Sequence, residues 1–292
     1  MKTIIKPRTL GILFSLLFLC SCATQDTIRP PVLAETSFNQ EAGRGGLLLV
    51  SLNLESGEEL LFVVDTGSPF CALDKTLESR LGNPLKNYQI HSMYGATPSK
   101  LYKAPKLYLN KIPLKTGDTV AVMDFKRLSD DLNQLAHSSH RIMGILGMEC
   151  LRHYCIQLDF VDKKLRLLNS NHPGDQDLGK TFPLTISHGP YLIVRGSLAG
   201  GNGTSSMIDT GMTFDGDVSQ KPFRQQQFFS KYSRTNVVFK NGVFGGYSYT
   251  NLCLGDGHAN VLGLGFISRN LVTFNFPKRT MYLKRQNVGP LD

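Results

Sequence analysis

Asp65 and Asp209 each open an Asp-Thr-Gly triplet, and each triplet closes an apolar run, Val63-Val64 in one case and Met207-Ile208 in the other. One such triplet is an ordinary turn sequence. Two in one chain, each ending a predicted strand, point to a duplicated half-site. The chemistry open to two facing carboxyls is acid–base hydrolysis. Held a few ångströms apart they do not both ionise readily, so the pair keeps one proton over a range of pH. The ionised member can then activate a water while the protonated member polarises a carbonyl and later supplies a proton to the leaving amine.

The elements that must position the two triplets are themselves repeated. Residues 145–168, ILGMECLRHYCIQLDFVDKKLRLL, lie without gaps over residues 261–284, VLGLGFISRNLVTFNFPKRTMYLK. Ile145, Leu146 and Gly147 face Val261, Leu262 and Gly263, and Phe160 and Leu167 face Phe276 and Leu283. A β-rich run precedes each aspartate, GGLLLVSL from Gly45 and GPYLIVRGSL from Gly189. Repetition on this scale predicts two similar subdomains facing each other. The first is expected to carry strands at 46–53 and 59–65, a hairpin over Ile90 to Leu109, a strand over Thr119 to Phe125 and a helix over Lys126 to His137. The second repeats the plan, with a short helix near Gln225 to Tyr232 and a hairpin around Gly242 to Tyr249. The fold class expected is all-β with a few short helices.

The order apolar-apolar-Asp-Thr-Gly, then apolar-apolar-Gly, present twice, resembles the pepsin and retropepsin type of aspartic protease. The stretch GILGMECLRHYCIQLDFVDKKLRLL is similar to bacterial retropepsin-like aspartyl proteases. The resemblance covers roughly residues 43 to 287. It implies a two-lobed acid protease fold in a single chain, with Asp65 and Asp209 as the catalytic pair, a peptide or protein as substrate, no cofactor and no covalent intermediate. It also implies that Thr66 and Thr210 hydrogen-bond across the lobe interface, that Gly67 and Gly211 let each loop turn sharply, and that Gly147 and Gly263 admit the crossing backbone closely. Ser68 is expected to donate to Asp65. Met212 departs from the pattern, standing where Ser, Thr or Ala usually follows the glycine. Without a hydroxyl there, Asp209 is expected to hold the shared proton and Asp65 to be the more acidic partner. Tyr94-Gly95-Ala96-Thr97 resembles a flap tip that closes over substrate, and the plainer reading of Tyr94 and Gly95 is a turn with an exposed tyrosine.

The N-terminus reads as an export leader. Lys2, Lys6 and Arg8 precede an apolar stretch from Leu10 to Leu19, too short to span a bilayer. Leu19-Cys20-Ser21-Cys22 resembles a bacterial lipoprotein box, with Cys22 the lipidated residue, and cleavage after Ala23 is the alternative. The expected organisation is a signal peptide at 1–21, a polar tether at 22–42, an N-terminal lobe at 43–170, a linker at 171–182 and a C-terminal lobe at 183–287. A lipid-anchored monomer at the outer membrane, facing the periplasm, is the corresponding expectation. The formal charge is +9, and loss of the leader's three basic residues leaves +6. With no charge run, no Arg-rich arm and no Trp for stacking, nucleic acid is not an expected partner.

Cys71, Cys150, Cys155 and Cys253 allow two disulfides in three connectivities, or buried free thiols. Cys150, His153 and Cys155 have no second ligand pair to complete a metal site, and His137 with His140 lacks a His-Glu-x-x-His frame. No metal is expected. Gly200-Gly201-Asn202-Gly203 reads as a hairpin turn. Asp74, Asp215 and Asp217 are expected to be solvated. A second function class remains open: a catalytically silent lipoprotein that holds a peptide or cell-envelope partner in its cleft. Met212 and the shorter second half, 54 residues from Asp209 to Gly263 against 82 from Asp65 to Gly147, favour it.

Overall fold

The computed structural model describes residues 32–92, 95–136, 141–171, 178–187, 191–199, 204–219 and 237–286. The architecture is all-β, the two-lobed acid protease fold, built on a nine-stranded sheet and a twelve-stranded one. In the first lobe the strand Glu59–Val64 runs into Asp65 and lies parallel to Ile142–Leu146, with Val63 beside Ile145 and Val64 beside Leu146. In the second, Ser205–Asp209 lies parallel to Val261–Gly263, with Met207 beside Val261 and Ile208 beside Leu262. Each of these crossing strands also pairs antiparallel with the short strand that leaves the aspartate loop, Ala72–Asp74 in one lobe and Gly216–Ser219 in the other. Each is followed by one helical turn, Met148–Leu151 and Leu264–Ile267. The sequence repeat is therefore a repeat of topology, and its conserved spacing of apolar residues is what both lobes bury: Val64, Leu146, Ile208 and Leu262 are all core residues.

The halves join through a shared antiparallel sheet. Cys155–Asp159 pairs with Asn270–Asn275, placing Ile156 opposite Phe274, and Gln157 Nε2 donates to Thr273 Oγ1 across the join at 3.1 Å. Outside these, Lys164–Leu168 and Thr280–Arg285 add one strand on each side. Beyond these, Val32–Ser37 forms the edge on one side, and on the other Lys180–Ile186 leads on through Leu192–Arg195 into the strands of the second lobe.

Val32–Ser37 and Lys180–Ile186 correct two expected boundaries. Val32–Ser37 falls inside the segment expected to be a tether at 22–42, yet it pairs with Lys164–Leu168 as a sheet strand, and Arg166 helps to hold it: Nε donates to Glu35 Oε2 at 2.6 Å while Nη1 reaches Asp159 at 2.9 Å. Phe38 then packs on Phe160 with ring centroids 5.1 Å apart. Likewise the expected linker at 171–182 already contains buried Leu178 and the start of Lys180–Ile186. The polar composition of both segments concealed these pairings.

The other elements follow the pattern of the sequence closely, with Leu49–Leu54, Thr119–Met123 and a helix over Lys126–Ala136. The hairpin is longer on its first arm than expected: Lys86–Ser92 pairs with Gly95–Lys103, and Leu107–Leu109 is a separate strand on Leu49–Leu54. In the second lobe the hairpin forms from Val237–Phe244 and Tyr247–Gly257. The helix expected near Gln225 to Tyr232, residues 1–31 with Cys22, and Tyr94, His137, His140 and Gly200 to Gly203 lie outside the described residues.

Candidate active site

Parallel pairing brings the two aspartate loops to one place. Asp65 and Asp209 stand at the ends of equivalent strands, half-buried, with their carboxyls hydrogen-bonded to each other. Burial, then the charge of Asp209, pushes the Asp65 carboxyl up to about 7. Asp209 is raised too, by burial, against the lowering effect of the Gly211 amide, the Asp65 hydrogen bond and the Met212 amide. The pair thus holds one proton well above the ordinary carboxylate range. Among the described residues neither carboxyl takes part in an ion pair.

Backbone amides orient both side chains. Asp65 Oδ1 accepts from the Gly67 and Ser68 amides at 2.8 and 3.1 Å, and Asp209 Oδ1 accepts from the Gly211 amide at 2.8 Å. The expected cross-lobe threonine bonds are present in full. The Thr66 hydroxyl accepts from the Thr210 amide at 3.0 Å and donates to the Ile208 carbonyl at 2.9 Å. Thr210 returns the arrangement, accepting from the Thr66 amide at 3.0 Å and donating to the Val64 carbonyl at 2.8 Å. Both threonines are buried, so these four bonds are closed to water.

The glycines are needed for a different reason from the one expected. Neither Gly67 nor Gly211 has a positive φ. Instead, a Cβ on Gly67 would fall 2.4 Å from Asp209 Oδ1, and one on Gly211 would fall 2.8 Å from the Asp65 carboxyl. Each glycine leaves room for the opposite lobe's acid. The close approach expected at Gly147 and Gly263 is as described: a Cβ there would lie 2.1 Å from the Phe70 and Phe214 carbonyl oxygens respectively.

Two expectations about donors are overturned. The Ser68 hydroxyl donates to the Phe70 carbonyl at 2.9 Å and not to Asp65, which is already served by amides. With no hydroxyl donor on Asp65, Met212 creates no imbalance of side-chain donors between the two acids. Met212 acts as a packing residue, its side chain lying against Gly263.

Asp74, Asp215 and Asp217 are buried, contrary to the expectation of solvation. Asp74 caps the 3-10 helix Lys75–Arg80 and accepts from the Thr76 and Phe125 amides and from Arg141. Burial pushes its carboxyl up, and those hydrogen bonds, with the Arg141 charge, outweigh it and hold the group below the usual range. Asp215 receives Arg269 through Nε at 2.8 Å and Nη2 at 2.9 Å, and the Cys253 amide at 2.7 Å. Arg269 also donates to the carbonyls of Thr250 and Asn251. These clamps fix the segments that leave the two aspartate loops. The pairing of Asp215, six residues past Asp209, with Arg269, six past Gly263, has no counterpart in the first lobe's sequence and so escaped the repeat.

Gly95 opens the second arm of the hairpin with φ 102°, opposite Ser92. The hairpin stands next to the Asp65 loop, since Tyr88 on its first arm meets Phe70 edge to face at 6.1 Å. Among the described residues no group of three or more His, Cys, Asp and Glu side chains is placed to hold a metal ion. All four described cysteines are free, three of them buried and Cys253 half-buried.

Residues 50–150 match the family model described as aspartyl protease, a span that contains Asp65, the hairpin and Gly147. No curated protein matches the chain. Among solved structures it is similar to basic 7S globulin from soybean, with a TM-score of 0.53 and 13% identity over 89% of this chain and 96% of that one. At that identity the likeness is one of fold.

Proposed function

We propose that this chain is an aspartic endopeptidase, hydrolysing peptide bonds with water activated between Asp65 and Asp209. The observation that carries the reading is a half-buried, mutually hydrogen-bonded pair of acids that takes part in no ion pair among the described residues. Such a pair opposes folding, because both burial and repulsion penalise ionisation, and an arrangement that costs stability is more readily explained by chemistry than by structure. In the mechanism, the protonated acid donates to the scissile carbonyl oxygen while the ionised one takes a proton from water. The water oxygen bonds to the carbonyl carbon, giving a tetrahedral diol. Proton return to the amine nitrogen then breaks the C–N bond, and the dyad regains its single proton. The threonine bonds keep the two carboxyls at a fixed separation, so little reorganisation accompanies each proton transfer. The hairpin at Lys86–Lys103, beside Phe70, supports a closing flap with Tyr94 and Gly95 at its tip.

The rival reading, a silent peptide-binding cleft, rests on Met212 and on the shorter second half. The amide-based support of both acids answers the first of these. Incubation with a mixed peptide library between about pH 3 and pH 7, with and without a statine-type inhibitor, separates the two: the protease reading requires inhibitor-sensitive cleavage. Asp65→Asn and Asp209→Asn should each lower cleavage roughly a hundred- to ten-thousand-fold while circular dichroism stays unchanged, since one carboxyl does not serve as both acid and base. Near-parental cleavage by either variant would sink the dyad.

The same reading includes export and lipid anchoring through Cys22, at the outer membrane facing the periplasm, with a monomer as the working unit because both half-sites are in one chain. Cys22→Ser should move the protein from the membrane to the soluble fraction. Sedimentation should give a single-chain mass whose activity survives dilution.

A further inference from the structure

The structure sorts the four cysteines that sequence leaves open. Cys71 immediately follows the Asp65 loop, and Cys150 sits in the helix Met148–Leu151 that follows Gly147; both are buried in the same core cluster and their thiols are hydrogen-bonded to each other. Their backbones are already joined. The Met148 amide donates to the Ser68 carbonyl at 2.8 Å and the Glu149 amide to the Pro69 carbonyl at 3.2 Å. By contrast Cys155 lies on the shared sheet, opposite Asn275 and Leu168, and Cys253 lies on the second-lobe strand beside Asp215. Neither has a thiol among the groups acting on it.

We propose that Cys71 and Cys150 form a disulfide when the chain folds in the presence of a disulfide oxidant, cross-linking the segment that leaves the Asp65 loop to the helix behind it, while Cys155 and Cys253 stay reduced. The bond needs the two sulfurs, neighbours in one buried cluster, to close to about 2.05 Å, with the segments that carry them already tied by two backbone hydrogen bonds. The chemistry is thiol–disulfide exchange. Either cysteine can open the exchange while both are still in water, and Cys71 serves as the example. Its thiolate attacks one sulfur of R–S–S–R, the S–S bond breaks, and RS⁻ leaves and takes up the proton Cys71 released. Cys150 then loses its proton, attacks Cys71 Sγ in the mixed disulfide and releases the second RSH. Two protein thiols are oxidised and one R–S–S–R is reduced to two RSH. Exchange takes place before the core closes, because in the folded chain the two residues are 2% and 0% exposed. Once made, the bond is shielded from reductant.

The cross-link stands independently of the hydrolytic reading, and its test uses no activity. The full chain is refolded with oxidised and reduced glutathione, alkylated, and digested with trypsin under non-reducing conditions. Cleavage after Arg152 separates Cys150 from Cys155, and Cys71 lies on the peptide ending at Lys75. The expected result is a linked pair of peptides carrying Cys71 and Cys150, with Cys155 and Cys253 alkylated once the chain is denatured. The oxidised protein should also melt several degrees above the reduced one, a difference abolished in Cys150→Ser and kept in Cys155→Ser. Recovery of Cys71 and Cys150 as alkylated thiols, or linkage of either to another cysteine, overturns the proposal. So does rapid reduction of the bond in the native protein.

Discussion

At the scale of single residues the site is governed by protons and by space. With Asp65 pushed up to about 7, the shared proton persists to near-neutral pH. Cleavage should therefore continue above the range of ordinary carboxylates and fall as pH rises through about 7, where the second ionisation leaves no acid. The sign of the stability effect follows from the same shift. The folded dyad binds a proton that the unfolded chain has released above its ordinary carboxylate pKa, so stability is greatest at low pH and is lost as pH rises towards 7, by at most about 1.4 kcal/mol per pH unit. Urea unfolding of the parent and of Asp65→Asn across that range checks this, because the variant should lack the slope. Met212→Thr should leave the pH–rate profile where it is. Asp209 is oriented by amides, and the hydroxyl that would be restored has no counterpart acting on Asp65. A shift of the acid limb larger than that of Met212→Ala would show that the hydroxyl does matter.

Between elements, the decisive contact is the reciprocal pair of threonines. Each hydroxyl serves one amide and one carbonyl of the other lobe, so replacing it orphans two buried backbone groups. Thr66→Val should cost about 1–3 kcal/mol for each group left unpaired, seen as a lower denaturation midpoint, and should lower kcat/KM because the carboxyls lose their fixed separation. Thr66→Ser keeps the hydroxyl and should recover most of both. An equal loss in the two variants would assign the effect to packing of the methyl group. Glycine works at the same scale. The Cα of Gly67 and the Cα of Gly211 each face the opposite acid, which ties the closeness of the dyad to the absence of two side chains.

For the molecule as a whole, the shared sheet makes the lobes interdependent, and its edge is supplied by residues 32–37. A chain beginning at residue 32 should unfold like the parent. One beginning at residue 43 should unfold at lower urea, since it exposes the edge of Lys164–Leu168, deprives Arg166 of Glu35 and uncovers Phe160. Equal midpoints for the two truncations would show that the strand adds nothing to stability.

The sequence alone determined the parts that rest on local pattern repeated twice. Apolar runs ending in Asp-Thr-Gly and in Leu-Gly specify strands and the loop that follows them, and their duplication specifies two lobes and one acid from each. Even the hydroxyls that bridge the lobes were legible, because the triplet carries them. Partners brought together by long-range folding were not. Val32–Ser37 is polar enough to read as a tether, and its ladder with the distant Lys164–Leu168, where Lys164 and Arg166 meet Glu35, makes it a strand. Asp74 and Asp215 look like surface acids until the chain brings Arg141, from the surface, to the one and the largely buried Arg269 to the other. The roles of Ser68 and Met212 and the choice among cysteines likewise awaited the tertiary structure. Each turns on which atom lies within a few ångströms, and a carboxyl, hydroxyl or thiol takes its pKa and its hydrogen bonds from that neighbourhood and not from its neighbours in the chain.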